Sequence, residues 1–377
     1  MTDDKRKRAY QAASHLTREG LRRDAPERAA VLDAVVESDV IVVSGIYDHV
    51  EDVLDALDVR HTVVAPPDLD RVELRPEQLL VVNCPGQVSP RAVSRVRAFV
   101  ETGGSLFTTD WALRHIVEAA FPGVLAFNER PTGDDVVRVE VRDPDDVYVG
   151  GVMDGRDDPQ WWLEASSYPI RILDPSRVQV LITSRELGAR YGEEPVAVRF
   201  GWGEGEVFHM ISHYYLQRTE TRTIRHQAAA GEYFAEKGVA LEPAMATCLQ
   251  DLTVADVESA RASSAFMSNI VIDKKARAQR TREDPPGARR GSEPALRAVR
   301  RGGTCVYCGS TLVSAVPISG KKTPTRSGEM NDTHRDDETR EAVAERTNMG
   351  RYLAIGFVAL WLVTLLTLVG HVGVGGF

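Results

Sequence analysis

The chain has 377 residues, 43% hydrophobic and 27% charged, which is long enough for one large domain or two small ones with a globular composition. Its net charge of −9 excludes a general nucleic-acid binder, which would need a basic surface to neutralise phosphates. Four cysteines in a chain of this length exclude a disulfide framework.

Residues 1–37 begin with charged residues that include the basic run KRKR. No apolar run follows, so this segment is not a secretory signal. We expect an N-terminal helical extension here, containing a charged surface helix.

Residues 38–272 alternate short apolar runs with amphipathic segments. The apolar runs are rich in β-branched residues, which is typical of strands buried on both faces. The predicted strands are 39–44, 61–65, 79–83, 105–109, 136–141, 178–183, 195–200 and 206–211. The predicted helices are 48–57, 90–102, 110–121, 223–237 and 253–270. This alternation predicts an α/β fold with a parallel-rich, doubly wound (flavodoxin-like) sheet.

Two parts of this domain depart from the alternation. The last two predicted strands flank the turn GWGEG, so we expect them to form an antiparallel hairpin. Residues 130–176 are mostly irregular, with Asp- and Pro-rich turns. They contain the pair Trp161-Trp162, which could line a groove but is interpreted as core.

Ligand sites in doubly wound sheets lie at the carboxyl ends of the parallel strands. In this chain, small and polar residues follow or end three of the predicted strands. The predicted ligand-binding residues are Ser44, Gly45, Asn83 and Thr109.

Three segments share a pattern with one known superfamily. VVNCPGQVSP (81–90) matches a strand, a Pro-Gly turn and a helix, and ETGGSLFTTDWA (101–112) matches the segment that presents a nucleophile on a sharp elbow. GWGEGEVFHMISHYY (201–215) matches a glycine-rich hairpin that ends in a histidine. Together they resemble the class I glutamine amidotransferase-like superfamily, including its ThuA-like relatives, over roughly residues 38–240.

The chain departs from that superfamily at the residues that perform catalysis. An active member needs a Cys at the elbow, flanked by glycines, because the thiolate attacks the glutamine amide. Here the elbow is TTDWA, with Asp110 or Thr109 in the nucleophile's place, and Cys84 lies one strand too early. The family histidine is followed two residues on by Glu, whereas neither His209 nor His213 has this orienting acid. The resemblance therefore implies a non-catalytic domain that binds a small ligand or a protein partner.

Three residues are nevertheless catalytic candidates, each with a structural alternative. Cys84 could be a thiol facing the ligand cleft, although we favour a small buried side chain in a turn. Asp110 is either a site acid or the N-cap of the next helix. His213 could orient or protonate a ligand, although a backbone-bonded histidine is favoured. The functional alternative is a hydrolase or sugar-modifying enzyme of altered chemistry that uses Asp110 and His213.

Residues 273–351 are predicted to be a disordered, flexible linker, because they contain too few apolar residues to form a core. Within it, Cys305 and Cys308 resemble one zinc knuckle. Structural zinc needs four ligands, so a complete site would require another partner or a second chain, which leaves a homodimer open. The alternative is a pair of free or reversibly oxidised thiols.

Residues 352–370 contain the uncharged run LAIGFVALWLVTLLTLV, which is close to bilayer length and predicts one C-terminal transmembrane helix. Arg346 and Arg351 precede the run, and no Lys or Arg follows it. The positive-inside rule then places the bulk of the chain in the cytoplasm. We therefore expect a single-pass membrane protein with an unknown protein or small-molecule partner and no nucleic acid.

Overall fold

A computed structural model describes residues 3–215 and 218–283. The predicted linker beyond Glu283, the Cys305–Cys308 pair and the predicted transmembrane helix at 352–370 all lie outside these residues. Among the helices in the described ranges, none is both long enough and apolar enough to span a bilayer.

The fold is built on one large sheet and two small ones. The strands are β1 (Val40–Val43), β2 (Thr62–Val64), β3 (Leu79–Val82), β4 (Ser105–Thr109), β5 (Leu125–Phe127), β6 (Asp135–Arg138), β7 (Glu140–Val141), β8 (Gln160–Leu163), β9 (Ile170–Ile172), β10 (Val178–Thr183), β11 (Pro195–Trp202) and β12 (Gly205–Met210). The large sheet has eight strands in the order β2-β1-β3-β4-β12-β11-β10-β7, while β5 pairs with β9 and β6 pairs with β8.

The helices cover the sheet and join its strands. They are α1 (Asp3–Asp24), α2 (Pro26–Asp33), α3 (Val50–Ala56), α4 (Pro90–Glu101), α5 (Arg185–Tyr191), α6 (Ile224–Gln227), α7 (Ala230–Glu236), α8 (Pro243–Cys248) and α9 (Val254–Glu283). A π-helix spans Leu113–Glu118, and 3-10 turns span Glu37–Asp39 and Pro66–Asp70.

The parallel half of the large sheet confirms the predicted α/β fold. Strands β2, β1, β3, β4 and β12 all run in the same direction. Every residue of β1, β3 and β4 is buried, as strands covered on both faces should be, and β1 and β3 are entirely apolar. The predicted hairpin is confirmed too, because β11 and β12 are antiparallel. With β10 and β7 they complete an antiparallel half of the sheet.

The segment predicted to be one strand at 136–141 is instead two strands in different sheets. β6 pairs with β8, and β7 pairs with β10 at the border of the large sheet. The surrounding region is also less irregular than predicted, because β5, β8 and β9 lie within or beside it. Strands of two to four residues are too short to show a periodic pattern. Trp161 and Trp162 are buried in β8, which confirms the core interpretation.

Three predicted helices differ from the structure. The one expected at 110–121 is mainly a π-helix over Leu113–Glu118. The helix expected at 223–237 is broken into α6 and α7, because Ala228 and Ala229 adopt extended backbone between them. The helix expected at 253–270 continues to Glu283. Lys274 and Lys275, which we placed in the linker, are therefore helical and buried. Their ammonium groups bond to carbonyl oxygens and to Asp39, which makes burial tolerable.

Helix α1 is more than a charged surface helix. It packs against α2, α3 and α9. Its buried residues are Ala9, Tyr10, Ala12, Ala13, Ser14, Leu16 and Thr17. The small residues allow α9 to approach closely, so this face belongs to the domain core although the helix as a whole is strongly charged.

Candidate functional site

Asp110 occupies a sharp bend at the carboxyl end of β4. Its backbone φ is +43°, a conformation that few residues other than Gly adopt and that Asp tolerates better than most. The N-cap interpretation is wrong, because Ala112 holds that position before the π-helix. The Asp110 carboxylate instead accepts hydrogen bonds from the Ser167 hydroxyl, at 3.0 Å, and the Tyr168 backbone N–H, at 2.8 Å.

His213 lies three residues beyond β12 and points toward Asp110. The distance from its Nε2 to Asp110 Oδ2 is 3.3 Å, and its Nδ1 lies 2.9 Å from Glu164 Oε2. The expectation that this histidine lacks an orienting acid is therefore wrong, because Glu164 comes from a distant segment. The interpretation of a backbone-bonded ring is wrong as well, since both nitrogens face carboxylates.

The backbone around His213 is fixed by a buried carboxylate. Asp48 Oδ1 accepts hydrogen bonds from the backbone N–H groups of Tyr214, at 2.9 Å, and Tyr215, at 3.1 Å. The hydroxyl of Tyr10 on α1 also donates to the Tyr214 carbonyl. The segment after β12 is thus tied to two other parts of the fold, which sets the direction of the imidazole.

Cys84 follows β3, so it does not occupy the bend after β4, but its thiol reaches the same place. Its Sγ lies 4.0 Å from Asp110 Oδ2, and its backbone N–H donates to Thr109 Oγ1 at 3.0 Å. The side chain is 1% exposed, as the buried interpretation predicts. The thiol nevertheless faces polar groups, so it is not simply part of the apolar core. We call Cys84, Asp110, Glu164 and His213 the carboxyl-edge cluster.

Burial and mutual contact shift the acid–base properties of the cluster. Burial raises the pKa of the Cys84 thiol to about 11 and also raises the pKa of the Asp110 carboxyl. Burial opposes protonation of His213, but the carboxylates of Asp110 and Glu164 outweigh it. The pKa of this imidazole is therefore raised well above 6.5. At neutral pH the thiol keeps its proton, and the neighbouring carboxylates favour the protonated form of the ring.

His209 is a separate histidine with a structural role. It lies within β12, and its Nδ1 is 2.8 Å from the Thr108 hydroxyl. Burial lowers the pKa of its imidazole to about 3, so the ring stays neutral. The two histidines of the 201–215 segment therefore differ in charge, and only His213 belongs to the cluster.

The predicted ligand-binding residues shape the site rather than line it. Asn83 uses both ends of its amide, accepting from the Val50 N–H at 3.2 Å and donating to Glu51 at 2.7 Å. A Cβ at Gly45 would lie 2.4 Å from the Cys84 carbonyl oxygen, so only Gly fits there. Thr109 is buried and supports Cys84.

Ser44 is the fourth predicted ligand-binding residue, and it is partly buried at the end of β1. Its backbone N–H donates to the Val64 carbonyl of β2 at 3.0 Å. The structure describes no contact between its side chain and the carboxyl-edge cluster.

Segment 164–168, which lies between β8 and β9, contributes site residues that were not predicted from the sequence. It supplies Glu164 to His213, and it supplies Ser167 and Tyr168 to Asp110. No periodic pattern or motif marks these residues, because they act from a loop in the region that we described as irregular. Only the tertiary fold brings them to the ends of β4 and β12.

An aromatic rim lies beside the cluster, and we define it as Tyr47, Trp111 and Tyr168. The rings of Tyr47 and Trp111 are 5.4 Å apart, edge to face, and those of Trp111 and Tyr168 are 5.6 Å apart and stacked. Tyr47 is 41% exposed, whereas Asp110 and His213 are each 2% exposed. The rim therefore presents apolar rings to solvent next to a buried polar centre.

Three side chains of the cluster have the donor atoms of a metal site. The ligand atoms of Cys84, Asp110 and His213 all lie within 4.8 Å of one another. Thiolate, carboxylate and imidazole are the ligand types that zinc uses in proteins. These residues are thus close enough together to hold one ion.

Comparisons with known proteins give structural matches of low identity and partial coverage. No family model and no curated protein matches the sequence. A glutamine amidotransferase from Thermotoga maritima is 10% identical, with a TM-score of 0.37, over 63% of this chain and 98% of its own length. A ThuA-like protein from Bacteroides uniformis is 11% identical, with a TM-score of 0.35, over 48% and 83%.

Glycosidases also match. An exo-beta-1,4-mannosidase from an Opitutaceae bacterium is 13% identical, with a TM-score of 0.34, over 51% of this chain. The chain spans 33% of the length of that enzyme and 28% of the length of a GH42 beta-galactosidase. The structural neighbours thus include members of both groups, amidotransferase and ThuA-like, that three segments of the sequence resemble.

Proposed function

We propose that this chain is a hydrolase whose catalytic centre is the carboxyl-edge cluster. The observation that carries the proposal is the 3.3 Å contact between His213 Nε2 and Asp110 Oδ2. The two residues were the candidates for an enzyme of altered chemistry, and this alternative required them to meet at one point of the sheet. They meet where parallel sheets hold their ligands.

The carboxyl-edge cluster contains the kinds of groups that general acid–base catalysis uses. Hydrolysis needs one group that takes a proton from the attacking water and one that gives a proton to the leaving group. The imidazole of His213 lies between buried Asp110 and Glu164, whose side chain is 36% exposed. The cluster thus brings together, at one place, the kinds of acidic and basic groups that this reaction needs. The positive φ of Asp110 is strain of the kind that collects at functional sites.

The aromatic rim indicates the shape of the substrate. Stacked, partly exposed rings favour a ligand with a flat or ring-shaped group, such as a sugar ring or an aromatic amide. Because Cys84, Asp110 and His213 are almost fully buried, the rim has to move aside to admit the scissile bond.

The test is a hydrolysis assay of the purified full chain on chromogenic esters, amides and glycosides, with glutamine included. We expect turnover of at least one class, and a loss of at least about 100-fold in kcat/KM for Asp110→Asn and His213→Gln. His115→Gln is the matched control, since His115 lies on the π-helix outside the cluster. Turnover that survives both cluster substitutions contradicts the proposal.

A second candidate is a non-catalytic module that binds a small ligand or a protein partner. It is supported by the burial of Cys84, Asp110 and His213, each at most 2% exposed. If the assay detects no turnover, the same substrate panel is screened for binding by thermal shift. A ligand whose stabilisation disappears with Trp111→Ala but persists with His115→Gln favours this candidate.

We also propose that residues 352–370 attach the domain to a membrane, with the bulk of the chain in the cytoplasm. The support is the uncharged run and the arginines that precede it. Full-length chain is expected in the membrane fraction, and a chain truncated after residue 351 in the soluble fraction. Equal distribution of the two forms contradicts the attachment.

A further inference from the structure

The imidazole of His213 has an unusual environment for a buried ring. Within the described residues, neither of its nitrogens makes a hydrogen bond of acceptable geometry, although both lie near carboxylate oxygens. Buried polar groups are normally hydrogen-bonded, and an exception calls for an explanation. Here the 3.3 Å separation from Asp110 is short enough for a hydrogen bond, but the atoms are not aligned for one.

Such a geometry is characteristic of two ligands of the same metal ion. Ligands bound at about 2.0–2.3 Å in a tetrahedron lie roughly 3.3–3.6 Å apart, and their lone pairs point to the ion instead of to each other. His213 Nε2 and Asp110 Oδ2 are 3.3 Å apart, and Cys84 Sγ is 4.0 Å from Asp110 Oδ2. The three ligand atoms lie within 4.8 Å of one another, so the thiol has to move closer to the other two when the ion binds.

The groups behind the three side chains match the support that metal ligands need. A ligating histidine usually faces a carboxylate through its other nitrogen, and ligating carboxylates are themselves hydrogen-bonded. Glu164 Oε2 lies 2.9 Å from His213 Nδ1. Ser167 and Tyr168 donate to the Asp110 carboxylate. A single segment, 164–168, therefore orients two of the three ligands.

We propose that Cys84, Asp110 and His213 bind one divalent ion of the zinc type, with the fourth coordination position open. Sulfur, oxygen and nitrogen donors together favour zinc or cobalt over magnesium or calcium. The Cys84 thiol and Nε2 of the protonated His213 imidazole each give a proton to solvent when the ion binds, and the ring keeps its proton on Nδ1, beside Glu164. The two charges of the ion then balance one thiolate and one carboxylate, so the buried centre becomes neutral.

This inference deepens the proposed hydrolase and rests on it only for the use of the open position. Three protein ligands and one exchangeable water are the pattern of catalytic zinc, and a bound ion lowers the pKa of that water. The metal site itself requires no activity, so it can be tested by itself.

The experiment is a cobalt titration of the full chain carrying Cys305→Ser and Cys308→Ser. Of the four cysteines, this background retains only Cys84 and Cys248. The reduced, chelator-treated protein is titrated with Co²⁺ without oxygen and followed by absorption. We expect one Co²⁺ per chain, visible bands of tetrahedral cobalt, and a near-ultraviolet band from thiolate to cobalt. Zn²⁺ should then displace the cobalt.

Substitutions in the same background assign the ligands. Cys84→Ser should abolish the near-ultraviolet band, and Asp110→Asn or His213→Gln should weaken binding at least tenfold. Glu164→Gln should weaken it 10–100-fold, as substitutions behind metal ligands do. Cys248→Ser is the matched control and should change nothing, since its thiol faces Arg8 and Gln11. Circular dichroism checks that each variant folds.

Two outcomes overturn the inference. One is the absence of Co²⁺ and Zn²⁺ binding by the folded background chain, which requires no site variant. The other is an unchanged near-ultraviolet band in Cys84→Ser. Cobalt binding as expected without any hydrolysis supports the metal site and contradicts the hydrolase. Full hydrolysis by metal-free chain supports the hydrolase and contradicts only a role of the ion in catalysis.

Discussion

The two ends of the parallel strands both bury charged groups, but the charged groups are hydrogen-bonded to different extents. At the amino ends of β4 and β12, Glu206 is 6% exposed. Four side chains donate hydrogen bonds to its carboxylate. They are Ser105, Tyr148, Arg199 and Arg277. Nearby, Lys274 donates to the carbonyl oxygens of Pro76 and Gly103.

At the carboxyl ends, His213 is equally buried but its ring nitrogens have no aligned hydrogen bond among the described residues. The amino end is thus built like a structural polar network, in which every partner supports the fold. At the carboxyl end, donor atoms lie close together without aligned hydrogen bonds, and such departures from the usual rules are expected at functional sites. Under the proposed function, one end of the sheet serves stability and the other serves chemistry.

The largest expected loss of stability comes from a substitution at the amino end of the sheet. Glu206→Ala should lower the free energy of unfolding by about 3–5 kcal/mol, because it removes one partner of buried charges. Urea unfolding measures the loss. Glu204→Ala in the neighbouring turn is the control, and as an exposed residue it should change stability by less than about 0.5 kcal/mol. Similar free energies of unfolding for the two variants would mean that the buried network around Glu206 does not stabilise the fold.

The next effect concerns a buried acid away from both ends. Burial raises the pKa of the Glu258 carboxyl, on α9, from its ordinary 4.5 to about 7, although Arg225 opposes the shift. The unfolded chain therefore releases a proton that the folded chain keeps. Stability from this group falls as pH rises from about 4.5 to about 7, by on the order of 3 kcal/mol.

Glu258→Gln isolates this contribution from the other titrating groups. The stability of the variant relative to the parent should rise across the same pH range, as measured by urea unfolding at several pH values. Glu236 also pairs with Arg225, whose hydrogen bond lowers the pKa of the Glu236 carboxyl. The control Glu236→Gln should give a difference that is flat between about pH 5.5 and 7. A flat difference for Glu258→Gln contradicts the prediction.

The smallest stability effect is expected at the carboxyl end. In chelator-treated protein, Asp110→Asn should lower the free energy of unfolding by about 1–2 kcal/mol, less than Glu206→Ala, because the buried imidazole loses one of two nearby carboxylates but keeps the other. The new amide oxygen still accepts from the Tyr168 N–H, and Glu164 still lies beside the imidazole. A loss as large as that of Glu206→Ala would mean that both ends of the sheet serve the fold, and the assignment of chemistry to this end would fail.

Much of the central sheet could be predicted from the sequence. The continuous apolar runs of β1 and β3 locate these strands to within a residue or two, because burial on both faces demands such runs. The hairpin of β11 and β12 follows from its glycine-rich turn. The short strands around residues 125–172 leave no such pattern, since a strand of three residues cannot show a period.

The sequence by itself determined which residues end the parallel strands, and so it identified Asp110, His213 and Cys84 as candidates. It could not show that their side chains meet, because Cys84 ends a different strand from Asp110 and the distance between them depends on the order of strands in the sheet. It could not find Glu164 or Ser167 either. Strand and helix patterns follow from local periodicity, whereas a site assembled from loops depends on contacts between distant parts of the chain, which only the tertiary structure decides.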